Sequence, residues 1–300
     1  MPELPDIVVY IECLERRVVG RKLQRVRVAH PFLVRTFDPP LDATFDKTVR
    51  GLRRLGKRLV FELEDDLFLV LHLMIAGRLH WKQPGTKVPG KIGLAAFDFP
   101  YGTLTLTEAG TKRRASLHVV KGEAELARHQ PGGLEVLDAD PAAFRAALRR
   151  ENHTLKRTLT DPRVFSGIGN SYSDEILHRA GLSPLTWTSR LSDDDANRLH
   201  AATIAVLNEW TQRLRAEAGD GFPEKVTAFR KEMAVHGRFG QPCPVCGTTV
   251  RRIVYAENET NYCPRCQTGG KVLADRALSR LLKGDWPKTI EELEERSDLK

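Results

Sequence analysis

The chain has 300 residues, with 47 Lys and Arg against 39 Asp and Glu, a formal net charge of +8 and 41% apolar content. At roughly 100–200 residues per domain this is enough for two domains and a small third module, and the composition excludes a wholly disordered chain. No stretch approaches the ~20 uncharged apolar residues of a membrane span; the longest run, Leu67–Ala76, is interrupted by His72.

No apolar signal segment follows Met1, so a cytoplasmic chain is expected. Five cysteines in a chain of this length point to metal rather than to a disulfide scaffold. The basic excess favours a polyanionic partner, nucleic acid first. It is unevenly spread: six acids against three bases from Gly284 to Lys300 leave the rest of the chain at +11.

In chain order, Ile7, Tyr10, Ile11, Leu14 and Val18 recur at helical spacing, with Asp6 as the expected cap and Gly20 as the stop. From Leu23 to about Val120 the texture is that of short strands: Leu59–Leu63, Leu67–Leu73, Leu94–Phe97 and Thr103–Thr107, with a turn at Pro100-Tyr101-Gly102. This predicts an antiparallel sandwich or barrel. Gln130-Pro131-Gly132-Gly133 reads as a hinge. Helices are predicted over Pro141–Arg150, Leu155–Leu159, Asp174–Ala180, Asp193–Ala216 and Val272–Leu282.

Three local patterns carry chemistry. Cys243-Pro-Val-Cys246 and Cys263-Pro-Arg-Cys266 are two chelating turns separated by sixteen residues. Four thiolates so spaced close a tetrahedron around one structural zinc ion and leave no open position for catalysis; chance pairs or a redox dithiol are the competing readings. Val250–Ala256 and Thr260–Tyr262 can pair between the turns. Cys13 reads as an ordinary buried thiol. Secondly, Gly167-Ile168-Gly169-Asn170 ahead of a helix can present backbone N–H groups to a phosphate, with Lys156 adding charge; a ligand-free helical corner fits equally well. Thirdly, Pro2 follows Met1, so removal of Met1 exposes a secondary amine beside Glu3. An α-amine titrates near ~8, well below lysine, and can attack an aldehydic carbon to form an iminium, with a carboxyl nearby as proton donor. Alone, Met-Pro-Glu is also a common start.

Together, Met1-Pro2-Glu3-Leu4-Pro5, Gly56-Lys57-Arg58-Leu59, His72-Leu73, Gly167-Ile168-Gly169-Asn170 and the four-cysteine finger, in this order over residues 1–267, resemble the formamidopyrimidine-DNA glycosylase / endonuclease VIII family. The resemblance implies an α+β multidomain fold: an antiparallel β-sandwich with a leading helix (1–130), a helical helix-two-turn-helix domain (131–235) and a zinc finger (236–270), here followed by a helical, acidic extension (271–300). It implies a monomer in a bacterial cytoplasm, associated with the nucleoid and acting on double-stranded DNA with oxidised bases or abasic sites. The damaged nucleotide would be flipped into a basic cleft between the halves.

By position, Pro2 matches the Schiff-base nucleophile, Glu3 the acid that assists base departure and ring opening, and Lys57 a phosphate contact and proton donor in β-elimination. His72, Lys156, Gly169 and Asn170 match DNA-contacting positions, Ile75 (with Met74 adjacent) the void-filling residue, and Arg113 or Arg114 the arginine facing the orphan base. There are departures. Asp6 and Val8 replace two glutamates, the aromatic wedge of the intercalation loop is missing, and the loop that caps oxidised guanine has no match near Ala216–Lys225. The finger-tip arginine aligns with Asn258, between Glu257 and Glu259, where an amide supplies no positive charge. A bifunctional glycosylase and AP lyase is therefore expected, with a catalytically weak binder of damaged or structured DNA as the alternative. An unrelated zinc-ribbon protein is disfavoured by Pro2-Glu3 with Lys57, since binding alone requires no terminal amine.

Overall fold

The computed structural model describes residues 1–110, 112–224, 226–255, 258–274, 281 and 286–296. Its contacts divide the chain into two compact units, Met1–Pro131 with Asn208–Thr227, and Gly132–Leu207 with Ala228–Lys300.

The first unit opens with helix α1 (Leu4–Val18), whose buried stripe follows the predicted spacing. The cap differs from the expectation. Glu3 is the N-cap and Asp6 the third helical residue, joined in a capping box: the Glu3 side chain accepts from the Asp6 N–H, and Asp6 accepts from the Glu3 N–H at 2.9 Å. Nine strands follow: β1 (Lys22–Leu23), β2 (Arg25–Val28), β3 (Lys47–Leu55), β4 (Arg58–Leu63), β5 (Leu67–His72), β6 (Gly77–Lys82), β7 (Gly93–Phe99), β8 (Gly102–Glu108) and β9 (Ser116–Lys121). They form two antiparallel sheets, ordered β1-β3-β4-β5-β9 and β2-β7-β8-β6.

One core joins α1 to both sheets, through Ile7, Tyr10 and Leu14 of the helix and through Phe61, Leu71, Phe97 and Leu106 of the strands. Phe61 and Phe97, from opposite sheets, stack with centroids 6.1 Å apart. β7 and β8 are buried on both faces. The face away from the core is polar and satisfied internally: Asp98 accepts from Thr103 Oγ1 at 2.8 Å and from Arg27 Nε at 2.7 Å. Helix α2 (Glu123–Ala127) covers the outer face of the larger sheet through Leu126, against Val60, Val70 and Val120.

The segment 208–227, which reads as part of the helical stretch, contributes Val226 to this same core. Phe222 packs on Tyr10 with centroids 5.6 Å apart, and Glu224 reaches His80 and Lys82 of β6 at 2.7 and 3.2 Å.

The second unit holds α3 (Pro141–Arg149), α4 (Leu155–Thr160), α5 (Asn170–Ala180), the first part of α6 (Asp193–Ala218), hairpin strands β10 (Arg251–Tyr255) and β11 (Asn258–Tyr262), α7 (Pro264–Thr268) and α8 (Ile290–Glu295). The Asp140 side chain caps α3, accepting from the Ala143 N–H at 2.7 Å. Phe144 and Phe165 stack at 4.7 Å inside. Most of the predicted Val272–Leu282 helix lies outside the described residues. Among the described residues no helix is long and apolar enough to cross a membrane.

Candidate functional site

In the first unit the chain terminus is held in place rather than trailing. Pro2 and Glu3 are buried. The Met1 amine is half-buried, and burial is the main cause that lowers its pKa below the ordinary value. Glu3 and Asp6 act against the shift, and Arg78 and Lys57 add to it. The capping box fixes the Glu3 and Asp6 carboxylates at the head of α1. The structure thus brings together the terminus, Glu3 and Lys57, as the sequence suggested, and adds Arg78, which the sequence did not single out.

Arg78 is a strand residue with no motif around it. Its guanidinium donates to the Val226 carbonyl, and to those of Ile75 at 3.2 Å and Gly77 at 2.7 Å. It therefore ties the 73–77 turn to the segment after α6. That turn projects Ile75, 54% exposed, while Met74 sits half-buried at φ +52°. Of the two candidates for a void-filling side chain, Ile75 is the one directed outward. A Cβ on Gly77 would lie 2.2 Å from the Leu73 carbonyl oxygen, so this tight turn accepts only glycine there.

His72 ends β5 opposite Arg58. Burial, with Arg58, Lys57 and His118, brings its pKa down to about 4, so it is neutral at pH 7. Arg113 and Arg114 part company: Arg113 donates to the Lys91 carbonyl, whereas the Arg114 side chain is exposed. Their loop is held by a group the sequence reading missed. Glu108 is 2% exposed and accepts from the N–H groups of Arg114 at 3.0 Å and Ala115 at 3.1 Å. Thr111 in this loop, and Lys225 after α6, lie outside the described residues.

In the second unit the two-glycine turn enters α5 as expected, with Gly167 at φ +81°. Two details differ from expectation. The cap position belongs to Gly169, and Asn170 is the first helical residue; its Nδ2 donates to the Glu259 carbonyl of β11 at 2.9 Å. Lys156 points inward rather than toward a ligand. Its Nζ donates to the Asn170 carbonyl at 2.7 Å, to Ser173 Oγ at 2.8 Å and to Asp174 Oδ1 at 2.5 Å. Asp174 is fully buried, and its other oxygen accepts from His236 Nδ1 at 2.8 Å and from the Asn261 N–H at 3.2 Å. Neighbouring Glu175 accepts from the N–H groups of Ala234, Val235 and His236, at 2.7, 2.9 and 2.9 Å, and burial raises its pKa. Two adjacent acids on α5 thus hold the chain that leads into the finger. Their partners in that part of the chain lie about sixty or more residues away, beyond the reach of a local pattern.

The four cysteine Sγ atoms of the finger all lie within 4.8 Å of one another. Cys246 and Cys263 are 3.4 Å apart, and Cys243 and Cys266 4.0 Å. Zinc–sulfur bonds of about 2.3 Å in a tetrahedron require sulfurs at about this spacing, so the donor set fits a closed structural zinc site. His178 of α5 approaches Cys243 Sγ with Nε2 at 3.3 Å. A zinc-bound thiolate would only accept, so with the metal in place this nitrogen would carry the proton and steady the ligand. In the hairpin, Tyr255 pairs with Asn258, and Ala256 and Glu257 at the tip lie outside the described residues. Glu259 is neutralised by Arg252, Nη1 to Oε2 3.0 Å, and Arg252 also lies over the Phe239 ring. One of the two acids expected to repel a phosphate is therefore already paired.

Three family models match the chain: "Formamidopyrimidine-DNA glycosylase N-terminal domain" over residues 1–116, "Formamidopyrimidine-DNA glycosylase H2TH domain" over 134–216, and "Zinc finger found in FPG and IleRS" over 240–269. Among curated proteins, a formamidopyrimidine-DNA glycosylase of Exiguobacterium sibiricum is 31% identical over 278 residues, covering 89% of this chain and 99% of that protein. An uncharacterised formamidopyrimidine-DNA glycosylase-like protein of Mycobacterium tuberculosis is 43% identical over 151 residues, 50% of this chain and 94% of that protein. Among solved structures, a complex of the Lactococcus lactis Fpg with DNA containing an abasic site superposes with a TM-score of 0.77 at 26% identity, over 89% of this chain and 99% of that one.

Proposed function

The chain belongs to the formamidopyrimidine-DNA glycosylase family, and on that premise we propose that it is a bifunctional base-excision enzyme, excising oxidised bases through an N-terminal Schiff base and cutting the abasic strand by β-elimination. The observation that carries this reading is the held terminus: Pro2 and Glu3 are buried at the head of α1, the capping box fixes Glu3 there, and Arg78 and Lys57 place positive charge close by.

With Met1 removed, the Pro2 nitrogen attacks C1′, the bond from C1′ to the base breaks, and the base departs with the proton that the amine gives up. Glu3 supplies the proton that opens the sugar ring, leaving an iminium between Pro2 and C1′. Loss of a C2′ proton to solvent passes its electron pair to the iminium as an enamine, and the enamine expels the 3′ phosphate, with Lys57 as the proton-carrying group on the phosphate side. Water then hydrolyses the iminium and frees Pro2. An α-amine titrates near ~8, so a useful fraction of it is neutral nucleophile at pH 7. Ile75 fills the space left by the flipped nucleotide, and Arg114, rather than Arg113, faces the orphan base. His72 and Lys57 contact backbone phosphates. Lys156 acts by position: it holds Gly169 and Asn170 in place through Asp174 and does not touch the phosphate itself. The enzyme acts on duplex DNA as a monomer.

Borohydride trapping on duplexes bearing an abasic site, oxidised guanine, formamidopyrimidine or an oxidised pyrimidine tests the reading. A covalent band is expected, lost in Pro2→Ala. Because Arg78 places positive charge near the terminus, the acid limb of the trapping profile should move to higher pH in Arg78→Gln. Intact binding with no band on any substrate would sink the lyase in favour of a binding protein.

That second reading has one observation behind it, the neutral Asn258 where the family carries an arginine. Strand cleavage should accordingly stop at the β-product. Asn258→Arg should add δ-product, seen as a faster-migrating 3′ end on a sequencing gel. Equal δ-product from the wild type would show that another group donates that proton.

A further inference from the structure

On the outer face of the larger sheet, four basic side chains meet, and among the described residues no carboxylate lies between them. Register sets Arg58 of β4 opposite His72 of β5, and His72 opposite Ser116 of β9. Alternation puts His118 on the same face, whereas Leu59, Leu71 and Leu117 turn into the core. His129, just after α2, packs edge-on against His118, with centroids 4.8 Å apart at 63°. All four are half-buried.

Burial, then His129, Arg58 and Arg35, lowers the pKa of His118 to about 4. Burial and Arg58 lower that of His129, opposed by Glu125. Glu125 is the one acid among these causes, and it is bound to Arg128 at 2.8 Å. The groups that act on the two rings are thus Arg58 from β4, His72 from β5, Arg35 from the segment before β3, and Glu125 of α2.

A purely structural cluster is better built from apolar groups or from opposite charges. Bases that repel one another in a half-dry site hold back their own protonation, and a bound anion relieves that cost. Lys57, which the proposed function sets against a backbone phosphate, is the residue just before Arg58.

We propose that Arg58, His72, His118 and His129 form a second subsite for a phosphodiester of the nucleic-acid backbone, adjoining Lys57. The inference rests on the reading that Lys57 and His72 face DNA, and it extends the footprint to Arg58 and to His118 and His129, which no motif marks. An anion among these rings favours imidazolium, so the histidine pKa values rise on binding and protons are taken up. Affinity is then greatest at low pH and falls as pH rises through the bound-state pKa, by about tenfold per pH unit for each proton linked.

The test is fluorescence anisotropy of the full zinc-loaded chain with a duplex carrying a stable abasic analogue, from pH 5.5 to 8 at fixed ionic strength. Wild-type affinity should fall as pH rises, and His118→Gln/His129→Gln should flatten that slope and bind several-fold more weakly at pH 6. A flat wild-type profile, or a variant with unchanged slope, would overturn the proposal; so would a variant that loses thermal stability and keeps wild-type affinity and slope. Should the double variant not fold, the wild-type imidazole Cε1–H resonances decide: the duplex must shift those of His118 and His129. Movement with inorganic phosphate and none with the duplex marks a small-anion site and equally overturns it. Failure of wild-type trapping would count against the lyase and leave the subsite standing on its own measurement.

Discussion

Cys243→Ala should release the zinc and abolish binding to abasic duplex. The finger has almost no core of its own: Val235, Val250, Cys243 and Cys263 are its buried cluster, and two of the four are ligands. Structural zinc contributes about 10–16 kcal/mol in isolated fingers, more than a cluster of this size can replace. Without the metal, the hairpin loses the turns that fix its ends. With them go the Asn170–Glu259 and Asp174–Asn261 contacts that β11 makes with α5. Burial, with the bond to Cys246, pushes the Cys263 thiol up to about 11 in the absence of a cation, so protons compete with the metal and acid favours its release. Zinc release read by a colorimetric chelator, with anisotropy on the same samples, checks this; retained zinc and affinity would contradict the ligand assignment.

The second large effect is expected at Asp174, which no motif singles out. Asp174→Leu leaves the Lys156 ammonium in a nearly closed site with no counter-charge, and deprives His236 and the Asn261 N–H of their acceptor. Removing one partner of a buried ion pair costs about 3–5 kcal/mol, whereas replacing both by apolar groups is often neutral. Urea unfolding should show that loss in Asp174→Leu and substantial recovery in Lys156→Met/Asp174→Leu. A single variant as stable as wild type would show that Asp174 does not balance Lys156.

What could be read from the sequence is what is periodic or locally spaced. Helix α1 announced itself through Ile7, Tyr10, Leu14 and Val18, and the metal site through two short cysteine turns. Strand β3 escaped because Lys47–Leu55 is basic, mostly half-buried, and broken by a register shift between Val49 and Gly51. The edge strands β1, paired with β3, and β2, paired with β7, are too short to show a period. At the site, Pro2, Glu3 and Lys57 were legible as a combination. Arg78, Glu108 and Asp174 were not, because each acts through partners that only the folded chain brings near. Lys156 was legible as a charge but not as one already used: its partner Asp174 lies 18 residues on, and no spacing rule joins them.

The interrupted make-up of the first unit bears on how the chain emerges from the ribosome. That unit needs Asn208–Thr227 as well as Met1–Pro131, because Val226 sits in the sandwich core and Phe222 packs against Tyr10. At about 5–20 residues per second, roughly 5–20 s separate synthesis of Pro131 from that of Thr227. For that interval the nascent sandwich is one piece short and offers Tyr10 and its neighbours to solvent or to a chaperone. A fragment ending at Pro131 would remain in that state, so the self-sufficient length of the N-terminal half is set by residue 227, far beyond the last strand of its sheets.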